Sequence, residues 1–203
     1  MMPKNGARLT VRQRLACWLL DLWGWRLDDS RPPADSYVII AAPHTSNWDF
    51  PVGILAKWAL GLDFKWLGKH TLFTPPYGWF FRALGGIPVD RRQRDNLSRQ
   101  MAAYFASHPG TVLALTPEGT RSWTPYWKSG FYHIARQAGV PVALGHLDFG
   151  RKRVGIGGYI ELSGDCQRDM QKIADYYASV TGKRPEKQGP VRLRQNHAPE
   201  TVC

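Results

Sequence analysis

The most informative stretch of the sequence is residues 37–49, which read Tyr-Val-Ile-Ile-Ala-Ala-Pro-His-Thr-Ser-Asn-Trp-Asp. Its first six residues form a short apolar run that is typical of a buried β-strand, and the apolar segment 50–60 that follows predicts a helix. His44 and Asp49 therefore lie where a strand ends and a helix begins. Because five steps along a regular helix separate two side chains by about 140°, this pair can meet only if His44 lies before the first turn.

The pair has two interpretations. In the functional one, the Asp49 carboxylate binds one ring nitrogen of His44, fixes the tautomer and leaves the other nitrogen free to accept a proton. In the structural one, Ser46 and Asp49 form a capping box, and the carboxylate only accepts backbone N–H groups. The spacing alone does not choose between them.

Length and composition indicate one globular domain, since the chain has 203 residues, of which 43% are hydrophobic and 21% charged. The formal net charge of +11 predicts attraction to polyanions, such as an anionic membrane surface, phosphorylated ligands or nucleic acid. The basic residues are scattered and match no nucleic-acid motif, so we do not expect a nucleic-acid partner.

The three cysteines, Cys17, Cys166 and Cys203, are odd in number and far apart. This spacing indicates neither a metal cluster nor a disulfide framework, so we expect free thiols, no metal site and a reducing compartment. The N-terminus lacks the features of a signal peptide. No window reaches the roughly 18 consecutive apolar residues of a spanning helix, and we therefore expect no integral membrane segment.

Short apolar runs alternate with amphipathic segments along the chain. The predicted strands are 37–42, 64–68, 87–89, 111–116, 140–147 and 153–162. Besides an N-terminal helix at 10–25, the predicted helices are 50–60, 96–108, 130–139 and 169–180. This alternation predicts an α/β fold with a mostly parallel central sheet flanked by helices.

Residues 10–25 predict an N-terminal amphipathic helix with a line of apolar side chains, namely Val11, Leu15, Trp18, Leu22 and Trp25. A tryptophan-rich face with arginines at its margins suits a membrane interface, and it equally suits a helix packed on the domain. We divide the chain into this helix with its linker (1–35), the main domain (36–182) and a basic C-terminal tail (183–203).

Polar side chains follow three of the predicted strands directly. They are His44, Arg91 and the run Glu118-Gly-Thr-Arg121. Ligands of such sheets bind beyond the strand ends, and two arginines can grip a phosphate by paired hydrogen bonds. Glu118 could position a polar substrate, or it could form a structural ion pair with a nearby arginine.

These residues carry a family resemblance. His44-Thr-Ser-Asn-Trp-Asp49 resembles the HX4D motif of the 1-acylglycerol-3-phosphate O-acyltransferases, a family of glycerolipid acyltransferases. Three further blocks are similar to those of the family and stand in the same order over about residues 37–148, namely Gly86-Ile-Pro-Val-Asp-Arg91, Pro117-Glu-Gly-Thr-Arg-Ser122 and Val140-Pro-Val142. The chain departs from the family at Pro43, where an asparagine is common.

The resemblance implies the glycerolipid acyltransferase fold, with residues 36–182 as the catalytic domain. It implies acyl transfer from acyl-CoA or acyl carrier protein to the hydroxyl of a lysophospholipid, with 1-acyl-sn-glycerol-3-phosphate as the expected acceptor. His44 would be the general base and Asp49 would orient it. The residues that would bind the acceptor are Arg91, Glu118, Gly119, Thr120, Arg121 and Pro141. We expect no metal and no cofactor besides the thioester co-substrate.

We expect a peripheral protein on the cytoplasmic, inner face of an anionic membrane. One alternative keeps the chemistry and changes the acceptor to a different lysolipid or a small molecule. The other is a non-catalytic basic module that binds lipid surfaces.

Overall fold

The computed structural model describes residues 9–89 and 94–194. The described strands are β1 (Arg26–Asp29), β2 (Tyr37–Ala42), β3 (Lys65–Lys69), β4 (Gly86–Val89), β5 (Val112–Leu115), β6 (Val142–Asp148) and β7 (Arg153–Ile160). The described α-helices are α1 (Val11–Leu22), α2 (Asp49–Ala59), α3 (Gly78–Ala83), α4 (Arg94–Ser107), α5 (Gly130–Ala138) and α6 (Cys166–Tyr177). Short 3₁₀ helices cover His70–Phe73 and Pro185–Lys187.

The strands form one seven-stranded sheet in the order β1-β7-β6-β2-β5-β3-β4. Strands β6, β2, β5, β3 and β4 run parallel to one another, whereas β7 is antiparallel to β6 and parallel to β1. The predicted α/β fold with a mostly parallel, helix-flanked sheet is confirmed.

Strand β2 lies in the middle of the sheet and is covered on both faces. Tyr37 and Ile39 pack on one face, with a core that includes Leu62 after α2. Val38 and Ile40 pack on the other face, in a core built with α4, α5 and α6. Burial on both sides explains why this strand is a continuous apolar run without alternation.

Two elements are absent from the sequence-based prediction. Strand β1 was predicted to be linker, because its sequence Arg-Leu-Asp-Asp has little apolar character. It is an edge strand, where charged side chains are tolerated, and it pairs with β7. Helix α3 follows the cis bond between Pro75 and Pro76, and its six residues are too few to show a period.

The described part of the predicted tail packs on the domain. We call residues 183–194 the C-terminal segment. The backbone N–H of Arg184 donates to Thr45 Oγ1 at 3.2 Å, and the Arg192 carbonyl accepts from the N–H of Trp127 at 2.8 Å. Leu193 also forms a β-bridge with Trp127. These contacts hold residues 183–194 against the domain, while residues 195–203 lie outside the described part of the chain.

The cysteines differ in state. Cys17 is a free cysteine, as expected. Cys166, at the start of α6, is disulfide-bonded, so the expectation of a free thiol is wrong at this position. Among the residues that the structure describes, no helix is long and apolar enough to cross a membrane.

Candidate active site

The site lies at the carboxyl ends of β2 and β5. The two strands are paired in parallel, with Ile40 opposite Leu115, so the loops that follow them leave the same edge of the sheet. The first loop carries His44, and the second carries Glu118. The predicted meeting of polar groups at strand ends is realised for these two loops, because the His44 backbone N–H donates to Glu118 Oε1 at 3.0 Å.

The imidazole of His44 faces the carboxylate of Asp49. Nδ1 of His44 lies 3.0 Å from Oδ2 of Asp49, whose side chain is only 2% exposed, while the imidazole is 23% exposed. No described residue forms a hydrogen bond with Nε2 of His44. One ring nitrogen is therefore held by a buried carboxylate, and the other is available to a substrate.

The backbone around the loop fixes the carboxylate. The N–H groups of Thr45 and Ser46 both donate to Asp49 Oδ2 at 2.8 Å, while Ser46 Oγ accepts from the N–H of Trp48 at 3.2 Å. Helix α2 begins at Asp49, so His44 lies before its first turn, as the pair requires. The predicted capping box does not form, because the N-cap of α2 is Trp48, which makes no side-chain cap hydrogen bond. The carboxylate nevertheless accepts backbone N–H groups, and the same oxygen of Asp49 also faces the imidazole.

Glu118 positions the histidine through the main chain. The residue is 7% exposed, and its second carboxyl oxygen, Oε2, has no hydrogen-bond partner among the described residues. Burial raises the pKa of Glu118 above its ordinary value, although the N–H of His44 acts in the opposite direction. No described arginine lies within ion-pair distance of this carboxyl group. The alternative of a structural ion pair is therefore not what the described residues show.

The turn after Glu118 depends on a glycine. Gly119 has a φ of +63°, a left-handed conformation that glycine adopts without a steric penalty. A Cβ at this position would also lie 2.5 Å from Nζ of Lys128. The Lys128 ammonium group therefore packs against the backbone of this loop, a placement that sequence spacing did not reveal.

The remaining predicted residues are not all brought to the site. Thr120 is exposed and its hydroxyl accepts from the N–H of Ser122 at 3.2 Å. Arg121 is exposed, and its side chain makes no ion pair with a described residue. Arg91 lies outside the described residues. Pro141 is buried at the opposite end of the sheet, because its carbonyl accepts from the N–H of Val38 at the start of β2.

The distance to Pro141 follows from the strand register. Val38 is opposite Val142, and Ala42 is opposite His146. The site loop is thus four strand residues beyond the end where Pro141 lies, which is about 13 Å at the usual rise of a strand. Pro141 shapes the start of β6 and does not line this site.

The C-terminal segment supplies residues that the sequence analysis missed. Nζ of Lys183 lies 4.5 Å from the centre of the Trp48 ring, and Trp48 belongs to the loop between His44 and Asp49. A Cβ on the neighbouring Gly182 would lie 2.8 Å from Thr45 Oγ1. The only signal in the sequence was the basic composition of this segment, which does not show where it packs.

The described side chains offer no metal centre. Within residues 9–89 and 94–194, no three His, Cys, Asp or Glu side chains are grouped so that they could hold a metal ion. The site as described is a histidine, two buried carboxyl groups and a backbone turn, which suits proton transfer to and from a bound substrate.

Comparison with known proteins places the site in a family. The model of the acyltransferase family matches residues 27–143, more than half of the chain, and the chain belongs to this family. It is an acyltransferase, and the match covers both the His44 loop and the Glu118 loop.

The fold is also that of a solved acyltransferase. The chain is similar to the crystal structure of the 1-acyl-sn-glycerophosphate acyltransferase PlsC from Thermotoga maritima, with a TM-score of 0.52 and 15% sequence identity. The similarity covers 84% of this chain and 80% of that one. No curated protein is significantly similar to the chain in sequence.

Proposed function

We propose that this acyltransferase moves a fatty acyl group from a thioester, acyl-CoA or acyl carrier protein, to the hydroxyl of a lysophospholipid. The proposed acceptor is 1-acyl-sn-glycerol-3-phosphate, the substrate that the name of the PlsC structure gives for that protein. The observation that carries the proposal is the 3.0 Å contact between His44 and the buried Asp49, with the second ring nitrogen unoccupied among the described residues.

In this reaction His44 acts as the general base. Its Nε2 takes the proton of the acceptor hydroxyl while the oxygen attacks the thioester carbonyl carbon. The tetrahedral intermediate then expels the thiolate, which receives the same proton from the imidazolium, and the new ester remains on the acceptor. Asp49 holds the ring and stabilises the imidazolium that forms between the two steps. No covalent enzyme intermediate is needed.

The Glu118 loop supports the general base, His44, and provides the proposed contacts to the acceptor. Glu118 holds the backbone of His44, and Gly119 with Thr120 forms the turn that presents Arg121 at the surface. Arg121, together with Arg91, is the proposed partner of the acceptor phosphate, since a guanidinium group binds phosphate by two parallel hydrogen bonds. Arg121 makes no ion pair with a described residue, and Arg91 lies outside the described residues.

The lipid substrate implies access to a membrane, and helix α1 is the proposed point of contact. It packs on the domain through Ala16 and Leu20, while most of its apolar line remains exposed, with Val11, Leu15, Trp18 and Leu22 at 54–83% exposure. With the net charge of +11, this face suits peripheral binding to the anionic inner leaflet.

The test is a matrix of acyl-CoA and acyl carrier protein donors against lysolipid acceptors that differ in headgroup. We expect transfer to 1-acyl-sn-glycerol-3-phosphate, and we expect it to be lost in His44→Ala. The matched control is His108→Ala, because His108 is an exposed residue directly after α4. A His44→Ala protein that folds and retains full activity would disprove the proposed base.

The same matrix tests the acceptor. Activity that does not depend on an acceptor phosphate would remove the proposed role of Arg91 and Arg121 and would indicate a different lysolipid or a small molecule. Absence of thioester consumption with every acceptor would favour the non-catalytic lipid-binding alternative.

A further inference from the structure

The exposed apolar face of helix α1 extends to the active-site loop. Leu22 is the last residue of the helix, and Trp23 follows it as the C-cap. The Trp23 ring makes an edge contact with the ring of Trp48, at a centroid distance of 6.4 Å. The surface of the helix therefore continues onto the loop that carries His44 and Asp49.

Trp48 is largely exposed and does not belong to the hydrophobic core. Its side chain is 51% exposed and Trp23 is 41% exposed, although both are large aromatic groups. An exposed aromatic pair beside an exposed helical face is the arrangement that proteins place at a lipid–water interface, where the ring is part apolar and part wet.

A cation completes this surface. The Lys183 ammonium group lies 4.5 Å from the Trp48 ring centre and 5.6 Å from that of Phe149. The side chain is exposed, and no described carboxylate pairs with it. Its position is fixed through the backbone, because the next residue, Arg184, donates its N–H to Thr45.

We propose that Trp23, Trp48 and Lys183 form a binding site for the phosphate headgroup of an anionic phospholipid, which docks the mouth of the active site on the membrane. The partner is a lipid surface, and its identity rests on the proposed acyl transfer to a lipid. The aromatic rings enter the interfacial layer, and the Lys183 ammonium pairs with a lipid phosphate. Docking through α1 and through this site at once orients the His44 loop toward the bilayer.

Charge complementarity favours a lipid surface as the occupant. The chain carries a net charge of +11, and a lysine beside an anionic leaflet strengthens binding, an effect that decays within about 8 Å in physiological salt. A protein partner would require a defined complementary shape, whereas this surface consists of separate side chains on one helix end, one loop and the C-terminal segment.

The experiment measures co-sedimentation of the full chain with vesicles of phosphatidylglycerol mixed with phosphatidylcholine, and with vesicles of phosphatidylcholine alone. We expect Lys183→Ala to lower the partition coefficient about fivefold on the anionic vesicles and to leave it unchanged on the neutral ones. Trp48→Ala should lower it on both, by about tenfold, because it removes apolar area from the interface.

The matched control is Lys172→Ala, which makes the same charge change on α6, on the opposite layer of the sheet. Its effect should stay below about twofold. Equal losses in the Lys183 and Lys172 variants would show a response to net charge only and would overturn the proposal, as would unchanged binding in both site variants. Lys183→Arg should restore binding.

This assay contains neither thioester nor acceptor, so it separates the two proposals. Normal docking by a protein without acyltransferase activity would contradict the proposed function and leave the surface intact. Normal acyl transfer with site variants that dock like the wild type would contradict the surface alone.

Discussion

His44 lies two residues beyond the end of β2, His146 lies within the neighbouring strand β6, and each has an aspartate oxygen 3.0 Å from a ring nitrogen. Their positions are related, because Ala42, two residues before His44, is paired with His146 in the sheet. The first pair is local, with Asp49 five residues away. The second pair joins His146 of β6 to Asp28 of β1, across the intervening strand β7. Both residues are opposite Gly155 of β7, which has no side chain between them.

The two imidazole rings differ in their exposure and in how many of their nitrogens are hydrogen-bonded. His146 is 6% exposed, and both of its nitrogens are bonded, Nε2 with Asp28 at 3.0 Å and Nδ1 with the Tyr176 hydroxyl at 2.7 Å. Arg153 also donates two hydrogen bonds to the Asp28 carboxylate. Burial lowers the pKa of His146, although Asp28 acts in the opposite direction.

A histidine–aspartate contact is thus not enough to define a base. His44 combines a carboxylate on one nitrogen with an open second nitrogen and partial exposure, which are the requirements for taking a proton from a substrate. His146 has the same contact and neither of the other two properties. Its polar network joins β6 to the edge strand β1 and to α6.

The largest expected difference comes from removing each ring. His44→Ala should lower kcat by about 10²–10⁴-fold, because a general base contributes that much. His146→Ala should lower the free energy of unfolding by about 1–3 kcal/mol, because Asp28 and Tyr176 lose a buried partner. Steady-state kinetics and urea unfolding on both variants measure the two effects. A larger loss of kcat in folded His146→Ala than in His44→Ala would reverse the assignment.

The aspartates extend the same comparison. Asp49→Asn should lower kcat about 10²-fold, since the amide still accepts backbone N–H groups but carries no charge to stabilise an imidazolium. Asp28→Asn should leave kcat within about threefold and lower the free energy of unfolding by about 1 kcal/mol, because its partner Arg153 is partly exposed. The measurement is kcat with urea unfolding for each variant, and equal kinetic losses would contradict the distinction.

Glu118 gives a smaller, pH-dependent effect. Burial raises its pKa above the ordinary 4.5, so the native carboxyl keeps its proton at a pH where the unfolded one has lost it. The stability from this group is complete below 4.5 and is lost as the pH rises through the raised native pKa. Glu118→Gln does not titrate, so its free energy of unfolding relative to wild type should increase over that window and then level off.

Urea unfolding of wild type and Glu118→Gln across this pH range measures the difference. A difference between the two proteins that is independent of pH would show that Glu118 is not protonated more readily in the native state. His146 has no counterpart of this support, because its backbone is held by the strand ladder.

The smallest effect is expected at Tyr176. Burial raises the pKa of its hydroxyl to about 12, so the group remains a neutral donor or acceptor beside His146 at every physiological pH. Tyr176→Phe should cost about 1 kcal/mol of unfolding free energy, the value of one hydrogen bond, with kcat unchanged. A stability loss equal to that of His146→Ala would mean that the hydroxyl alone holds the network.

The local part of the site followed from the sequence. The apolar run of β2, the loop and the first residue of α2 lie within thirteen residues, 37–49, so periodicity and motif spacing predicted where His44 and Asp49 would lie. The Glu118 loop followed from the rule that parallel strands place their carboxyl ends at one edge. Neither rule showed that Glu118 would hold the His44 backbone rather than a substrate.

Contacts between distant parts of the chain were not predictable. Asp28 and His146 are 118 residues apart, and the short polar strand that carries Asp28 has no hydrophobic pattern. The C-terminal segment has no periodicity either, yet it packs against Thr45 and Trp127. The structure places Pro141 at the end of β6 away from the His44 loop, a separation that the order of the motifs could not show.

The sequence by itself determined the α/β class, the strand–loop–helix around His44 and the chemistry of the histidine–carboxylate pair, since these depend on neighbouring residues and on the periods of helix and strand. Only the tertiary structure decided which of the two histidines keeps a ring nitrogen free of described partners. It also decided that Glu118 accepts the backbone N–H of His44 and that the Lys183 ammonium group lies over the Trp48 ring. These features depend on burial and on long-range packing, which no local pattern encodes.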